Sequence, residues 1–489
     1  MFTPDDRPAT RPRRRSRWLV AGGLAAGSLV VGAAGLAGVA AVAADRPAAD
    51  RASLASRGAD GGQDDRDDRE RPDHGLDRRD AVDVPCDPAK LIAALVRANA
   101  EGGAHLRLAS ECHYELTDAL AERDEYDGGI RDARETADSA ENPGDAEAPP
   151  RDPAADRSGL PFVYHPITID GEGATIARAA HAESFRLFTV RDGGELTLRH
   201  LTLANGRSTA EGGSLYVVHG GSAVIEHVTV AGNTSLSPDS GGGGMFNDGN
   251  MVVRDSTFVD NHATGAAGKG GGLLNGGVLT LASSTFRDNS AVAYGGGFGN
   301  YRGAAQVDHS VFADNTAGQG GGVASYSART RVADSKVLGN TAQSGGGIAN
   351  SDALIFLNGM EIRDNTATGN GGGIYTFQGL VPLDDSVVAG NTTVGDGGGI
   401  YAEKSNVLVR RTAVKHNGAV DPQSQGGGIF ATQGQLSLFS SAVVGNRATL
   451  APGGVLVDKA RVKVDRTDIT DNQPTNCAGS TVPVATCVG

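Results

Sequence analysis

The stretch FRDNSAVAYGGGFGNYRGAAQVDHSVFADN, residues 286–315, contains one full copy of the repeat that decides the fold. It begins and ends with Phe-x-x-Asn, and three glycines followed by an apolar residue lie between the two ends. From Gly212 onward the closing asparagine recurs every 25–29 residues. These asparagines are Asn233, Asn261, Asn289, Asn315, Asn340, Asn365, Asn391, Asn417, Asn446 and Asn472. Such a period indicates a solenoid in which each unit packs on the next.

The spacing within the repeat selects the kind of solenoid. Apolar residues alternate, as at Leu279 and Leu281, and no stretch inside the repeat has the period of a helix. A propeller blade needs about 40 residues, and a leucine-rich repeat needs its own leucine frame. A coil of three short strands stacked by parallel pairing uses about 25 residues. The sequence therefore predicts an all-β fold, a single-stranded right-handed parallel β-helix.

The repeat also predicts what lies inside each coil. Phe258, Phe286 and Phe312 share one repeat position, which we expect to face inward. The ten closing asparagines should form a side-chain amide ladder at one turn, each amide bonding to the next rung.

The rest of the chain divides by composition. Residues 1–43 have a basic start, an apolar run and a small-x-small end, which is typical of a signal peptide or an uncleaved N-terminal anchor. Residues 44–83 are predicted to be a disordered Asp/Arg-rich linker. The β-helix is expected over 84–475 with a disordered insertion at 121–158, and a cap over 476–489. This layout predicts a secreted, extracellular or cell-surface bacterial protein.

The open ends of a β-helix need covers. Residues 87–99, DPAKLIAALVRAN, have an apolar face and predict a capping helix at the N-terminal end. The four cysteines favour two local disulfides, Cys86–Cys112 and Cys477–Cys487, each beside a cap, with free buried thiols as the alternative.

The pairing of GGG-apolar with Phe258-Val-Asp-Asn261, Phe286-Arg-Asp-Asn289 and Phe312-Ala-Asp-Asn315 resembles the GGA[ILV]/FxxN repeats of chlamydial polymorphic outer membrane proteins. The stretches CDPAKLIAALVRANAEGG and ITIDGEGATI are similar to secreted actinobacterial right-handed β-helix proteins of the pectate-lyase-like superfamily. These resemblances imply a β-helix with surface adhesion or carbohydrate contact. The superfamily hosts unrelated functions, so the resemblance fixes no activity.

Candidate catalytic residues are sparse. Asp384 and Asp385, with Arg410 and Arg411 one rung later, could act as clustered acids and bases, or could form a surface salt-bridge ladder. The Asp-Asn pairs, one per rung, could bind Ca²⁺ or form Asx turns, and the second interpretation requires no cofactor.

An aromatic strip is the candidate binding feature. Tyr375, Tyr401 and Phe430 follow the inward apolar residue on successive rungs. They should therefore point outward, where exposed rings could stack on sugars or simply stabilise the helix.

These observations leave three hypotheses. The first is a non-catalytic, adhesin-like scaffold, predicted to be a monomer, that binds glycans or other surface partners. The alternatives are a polysaccharide lyase or glycoside hydrolase, and a purely structural spacer. The net charge of −14 and the lack of a basic patch argue against nucleic acid, and a membrane contact is expected only through an uncleaved N-terminal segment.

Overall fold

The computed structural model describes residues 81–120 and 157–487. The predicted signal peptide, most of the predicted linker and nearly all of the predicted insertion lie outside the described residues. A strand begins at Val82, so the predicted linker ends before it.

The described residues form a parallel β-solenoid of about 14 turns, which confirms the predicted fold class. Each full rung runs through four short strands, not the three expected from the repeat length, and equivalent strands of successive rungs pair in parallel to form four sheets. We number them sheets 1 to 4 in the order in which the chain visits them.

The bounds of the strands follow. Sheet 1 contains Val82–Val84, Ala104–Leu108, Pro166–Asp170, Glu195–Arg199, Ser222–Glu226, Asn250–Arg254, Val278–Ala282, Ala304–Asp308, Arg329–Ala333, Leu354–Asn358, Leu380–Asp384, Asn406–Arg410, Gln435–Phe439 and Arg461–Asp465. Sheet 2 contains His113–Leu116, Thr175–Arg178, Thr202–Ala204, Thr229–Ala231, Thr257–Val259, Thr285–Arg287, Val311–Ala313, Lys336–Leu338, Glu361–Arg363, Val387–Ala389, Ala413–Lys415, Ala442–Val444 and Asp468–Thr470. Sheet 3 contains Arg207–Ser208, Thr234–Ser235, His262–Ala263, Ser290–Ala291, Thr316–Gln319, Thr341–Ser344, Thr366–Ala367, Thr392–Thr393, Gly418–Ala419 and Arg447–Ala448. Sheet 4 contains Phe188–Val190, Leu215–Val217, Met245–Asn247, Leu273–Asn275, Phe298–Tyr301, Val323–Tyr326, Ile348–Ser351, Ile374–Phe377, Ile400–Glu403, Ile429–Thr432 and Val455–Asp458.

The core is a stack of inward columns. Phe258, Phe286 and Phe312 are fully buried, with ring centroids 4.4 and 5.1 Å apart along the stack. The same column continues through aliphatic residues such as Val337 and Ile362. Alternation along each strand thus places every second residue inside, where its apolar surface leaves water.

The closing asparagines lie buried at the corner between sheets 2 and 3. In nine consecutive pairs, the Nδ2 of one asparagine donates to the Oδ1 of the next over 2.9–3.0 Å. The same Oδ1 accepts the backbone N–H of the preceding asparagine, as Asn315 does for Asn289 at 3.0 Å. A second Nδ2 hydrogen bond reaches a main-chain carbonyl, for example from Asn289 to Phe258. Because buried polar groups are costly when unpaired, these bonds fix the register of the rungs.

One α-helix, Pro88–Glu101, precedes the first complete rungs. Asp87 caps its start by accepting the N–H of Ala89 at 2.8 Å, and Gly102 ends it at a φ of 82°. Leu91, Leu95 and Ala98 form its buried face. That the helix caps the solenoid remains our prediction.

Both cysteine pairs form the disulfides predicted from the sequence. The Cα atoms of Cys86 and Cys112 lie 5.6 Å apart, and those of Cys477 and Cys487 lie 6.2 Å apart. The first disulfide joins the segment before the helix to the turn between Ala104–Leu108 and His113–Leu116. No helix in the described parts of the chain is long and apolar enough to cross a membrane.

Candidate functional site

A groove lies at the corner where sheet 4 passes into sheet 1, and we call it the corner groove. It encloses about 1160 Å³ and touches eight successive corners, from His219 to Lys404. At about 4.8 Å per rung it extends roughly 34 Å along the solenoid. A groove of this length suits an extended polymer better than a compact small molecule.

The floor of the corner groove is built from small residues at six of the eight corners. They are Gly249, Gly277, Gly303, Ala328, Ala353 and Gly379. The stacking of rungs requires a glycine at several of these positions. At Gly277, for example, a Cβ would lie 2.1 Å from the carbonyl oxygen of Gly249. The depth of the groove is therefore a consequence of how closely the corners stack.

The walls of the corner groove are polar and partly apolar. Charged side chains recur along them, at Asp248, Arg302, Arg329, Asp352 and Lys404. Val278, Leu354 and Leu380 add apolar surface from sheet 1. The groove thus offers hydrogen-bonding groups together with apolar contacts, the mixture that suits a polyhydroxylated ligand.

Phe356 provides an exposed aromatic ring beside the corner groove. It lies on the outer face of sheet 1, two residues beyond Leu354, and 40% of its surface is exposed. Sequence reasoning missed this residue. The alternation Ile355-Phe356-Leu357 could have found it, because inward neighbours on both sides require an outward ring.

The predicted aromatic strip has a different environment from the one expected. Tyr375, Tyr401 and Phe430 stack on one another, with ring centroids 5.5 and 5.1 Å apart and nearly parallel planes. Both faces of Tyr401 are therefore occupied by neighbouring rings. Tyr401 is only 8% exposed, so the prediction of an exposed platform is wrong at this position.

The cause is the glycine turn of each rung, which lies directly against the strip. A Cβ at Gly397 would approach the Cβ of Tyr401 to 2.8 Å, and Gly397 itself has a φ of +70°. Burial, followed by the nearby Glu403 carboxylate, raises the pKa of Tyr401.

The predicted acid–base cluster consists of two salt bridges. Arg410 binds Asp384 through two hydrogen bonds, with Nη2 2.6 Å from Oδ2, and Arg411 binds Asp385 in the same way at 2.6 and 2.7 Å. The hydrogen bond from Arg411 lowers the pKa of Asp385. Carboxylates held in bidentate pairs are poor general bases, so this geometry favours the salt-bridge ladder.

A polar pocket of about 490 Å³ lies near the N-terminal end of the outer face of sheet 1. In it the Nε2 of His105 lies 2.7 Å from the Oδ2 of Asp170, and these side chains are 5% and 13% exposed. Arg107, Glu172 and His200 also line the pocket, together with Ala81 and Gly173. A buried histidine oriented by a carboxylate is a competent acid–base pair.

Sequence reasoning also missed this pair. Alternation in Ala104–Leu108 and Pro166–Asp170 places His105 and Asp170 outward, but 65 residues separate them in the chain. Only the strand register brings them together.

The Asp-Asn pairs show regular turn geometry. Their aspartates adopt a φ of 55–57°, one per rung, while the asparagines point into the ladder. Among the described residues, no group of three His, Cys, Asp or Glu side chains is placed to hold a metal ion.

One family model matches part of the chain. Residues 300–472 match the family described as "Right handed beta helix region", which agrees with the parallel solenoid observed here. No curated protein sequence matches the chain.

Three solved structures illustrate the similarity. The Azotobacter vinelandii mannuronan C-5 epimerase AlgE6 A-module is 13% identical, with a TM-score of 0.40, over 79% of this chain and 96% of that one. The AlgE4 A-module from the same organism is 13% identical, with a TM-score of 0.39, over 81% of this chain and 96% of that one. The periplasmic alginate epimerase AlgG is 14% identical, with a TM-score of 0.32, over 77% of this chain and 88% of that one. At these TM-scores the structures carry no inference about activity.

Proposed function

We propose that this protein binds an extended polysaccharide along the corner groove. The observation that carries the proposal is the groove itself, which runs along eight corners with a floor of small residues and walls that combine polar and apolar groups. Arg302, Arg329 and Lys404 supply donors, while Leu354 and Leu380 can contact the apolar faces of sugar rings.

The two disulfides support a location outside the cytoplasm, since disulfides persist in oxidising compartments. In this proposal the chain acts as a secreted or surface-exposed scaffold. The adhesin-like role expected from the repeats resembling those of chlamydial polymorphic outer membrane proteins is part of the same proposal.

A glycan array probed with the full chain tests the binding proposal. Arg329→Ala should weaken retention of the bound polysaccharide about tenfold, because a hydrogen bond to a charged group is worth about 1.5 kcal/mol or more. The matched control is Arg331→Ala, which removes an exposed arginine from the same strand but outside the groove. No retention on any polysaccharide, or equal effects of the two variants, would contradict the proposal.

The second candidate function is modification of the bound polymer by the His105–Asp170 pair. Burial of both side chains in a polar pocket on the outer face of sheet 1 favours it. Asp170 would orient the His105 ring, and His105 would transfer the proton.

Product analysis separates the two functions. Incubation with polysaccharides that the array identifies should release reducing ends or unsaturated products only if the pair is catalytic. His105→Gln should then abolish turnover while binding persists, and His309→Gln, at an exposed corner, should change neither. Binding without any product would leave the scaffold function alone.

A further inference from the structure

Sheet 3 carries a side-chain arrangement that neither the corner groove nor the polar pocket uses. His262 and Ser290 occupy equivalent positions on successive strands, paired in parallel register. Thr234, Thr316 and Thr341 hold this position in nearby rungs. The histidine and serine therefore depart from the threonine pattern of the repeat.

Three side chains, those of Ser290, His262 and Asp260, lie in a row, each within hydrogen-bond reach of the next. The Nδ1 of His262 lies 2.8 Å from the Oγ of Ser290, and its Nε2 lies 3.2 Å from the Oδ1 of Asp260. A carboxylate beside Nε2 favours the tautomer with the proton on that nitrogen. Nδ1 is then free to accept the Ser290 hydroxyl proton. A hydroxyl, a base in hydrogen-bond reach and a group that orients the base are the parts of an activated nucleophile.

A substrate can reach this arrangement. The side chain of His262 is 35% exposed, and Ser290 is half-buried. Val292 is 51% exposed and follows Ser290 by two residues, so it presents apolar surface beside the hydroxyl. An acyl group could rest against this valine while its carbonyl carbon faces Ser290.

We propose that Ser290, His262 and Asp260 form an acyl-accepting site for carboxylic esters, separate from the polymer-binding groove. The Oγ of Ser290 attacks the ester carbonyl carbon while the Nδ1 of His262 takes its proton. The Oγ–carbon bond forms, the bond from carbon to the alcohol oxygen breaks, and His262 returns the proton to the leaving alkoxide. Water then attacks the acyl carbon while His262 takes its proton. The bond from carbon to the Oγ of Ser290 breaks, His262 returns the proton to that oxygen, and the carboxylic acid leaves.

The test uses the full chain with a fluorophosphonate probe and with p-nitrophenyl acetate. Peptide mass spectrometry should find the fluorophosphonate adduct on Ser290. Acetyl ester hydrolysis should fall about tenfold or more in Ser290→Ala and in His262→Thr, since general-base assistance contributes roughly 10²–10⁴-fold. Threonine is the residue that nearby rungs carry at the position of His262, so this variant should keep the fold.

Two matched controls keep the result specific. Asp260→Asn should lower hydrolysis, whereas Asp314→Asn should not, because Asp314 has the same turn geometry beside a threonine rung. The exposed Ser440 reports unspecific labelling. Equal labelling of Ser290 and Ser440, or undiminished labelling of Ser290 in the His262→Thr variant, would overturn the proposal.

Discussion

This solenoid has two columns of stacked aromatic side chains, one pointing into the core and the other pointing outward. Phe258, Phe286 and Phe312 point inward and are fully buried. Tyr375, Tyr401 and Phe430 point outward, yet they stack face to face beneath the glycine turns. The difference shows that strand alternation decides which way a ring points, while the turn packed above it decides whether the ring meets water.

The largest expected effect belongs to the inner column. Phe286→Ala should lower the free energy of unfolding by about 3–5 kcal/mol, because it leaves a cavity between two rings that cannot close it. Urea denaturation followed by circular dichroism measures the change. Phe286→Leu should cost much less, since aliphatic residues fill this column in later rungs. A loss below about 1 kcal/mol for the alanine variant would refute the inner packing.

The outer column should respond less. Tyr401→Ala should cost about 1–3 kcal/mol, the value of its buried apolar surface, because the ring edges border solvent and no closed cavity forms. Tyr401→Leu is the matched control, since Leu456 occupies the same column two rungs later. An effect as large as that of Phe286→Ala would show that the two columns are energetically equivalent.

The smallest effect depends on pH. Because burial raises the pKa of Tyr401 in the folded chain, the unfolded chain loses this proton first as the pH rises. This ionisation lowers the free energy of unfolding. The loss is negligible well below the ordinary tyrosine pKa of about 10, begins as the pH approaches that value, and reaches about 0.8 kcal/mol near pH 10.5. Stability should therefore fall less steeply between about pH 9.5 and 10.5 in Tyr401→Phe than in the unchanged chain. Identical slopes in urea titrations would show that Tyr401 ionises freely when folded.

The sequence predicts local features better than features shared between distant segments. The 25–29-residue spacing of the asparagines locates the ladder, and alternation assigns Phe286 to the core, because both depend on neighbours one rung or one residue away. The cover over Tyr401 cannot be predicted in this way, since it depends on the path that the glycine turn takes through space.

The candidate sites show the same limit. The corner groove depends on how closely successive corners between sheets 4 and 1 stack, which is set by the register of neighbouring rungs and not by one repeat alone. The His105–Asp170 pair joins strands on either side of a long insertion, so only the final register reveals it. The sequence predicts the salt bridges of Asp384 and Asp385 as one of two interpretations, because their partners lie one rung away.

The asparagine ladder also bears on how such a chain can change in length during evolution. Each asparagine needs only one like residue above and one below, and any member of the ladder can serve as that neighbour. Loss of residues 316–340 would join Asn315 to Thr341, whose strand pairs in register with that of Thr316. The hydrogen bonds of the corner would then close across the junction. Duplications and deletions of whole coils should therefore survive, whereas partial ones should not.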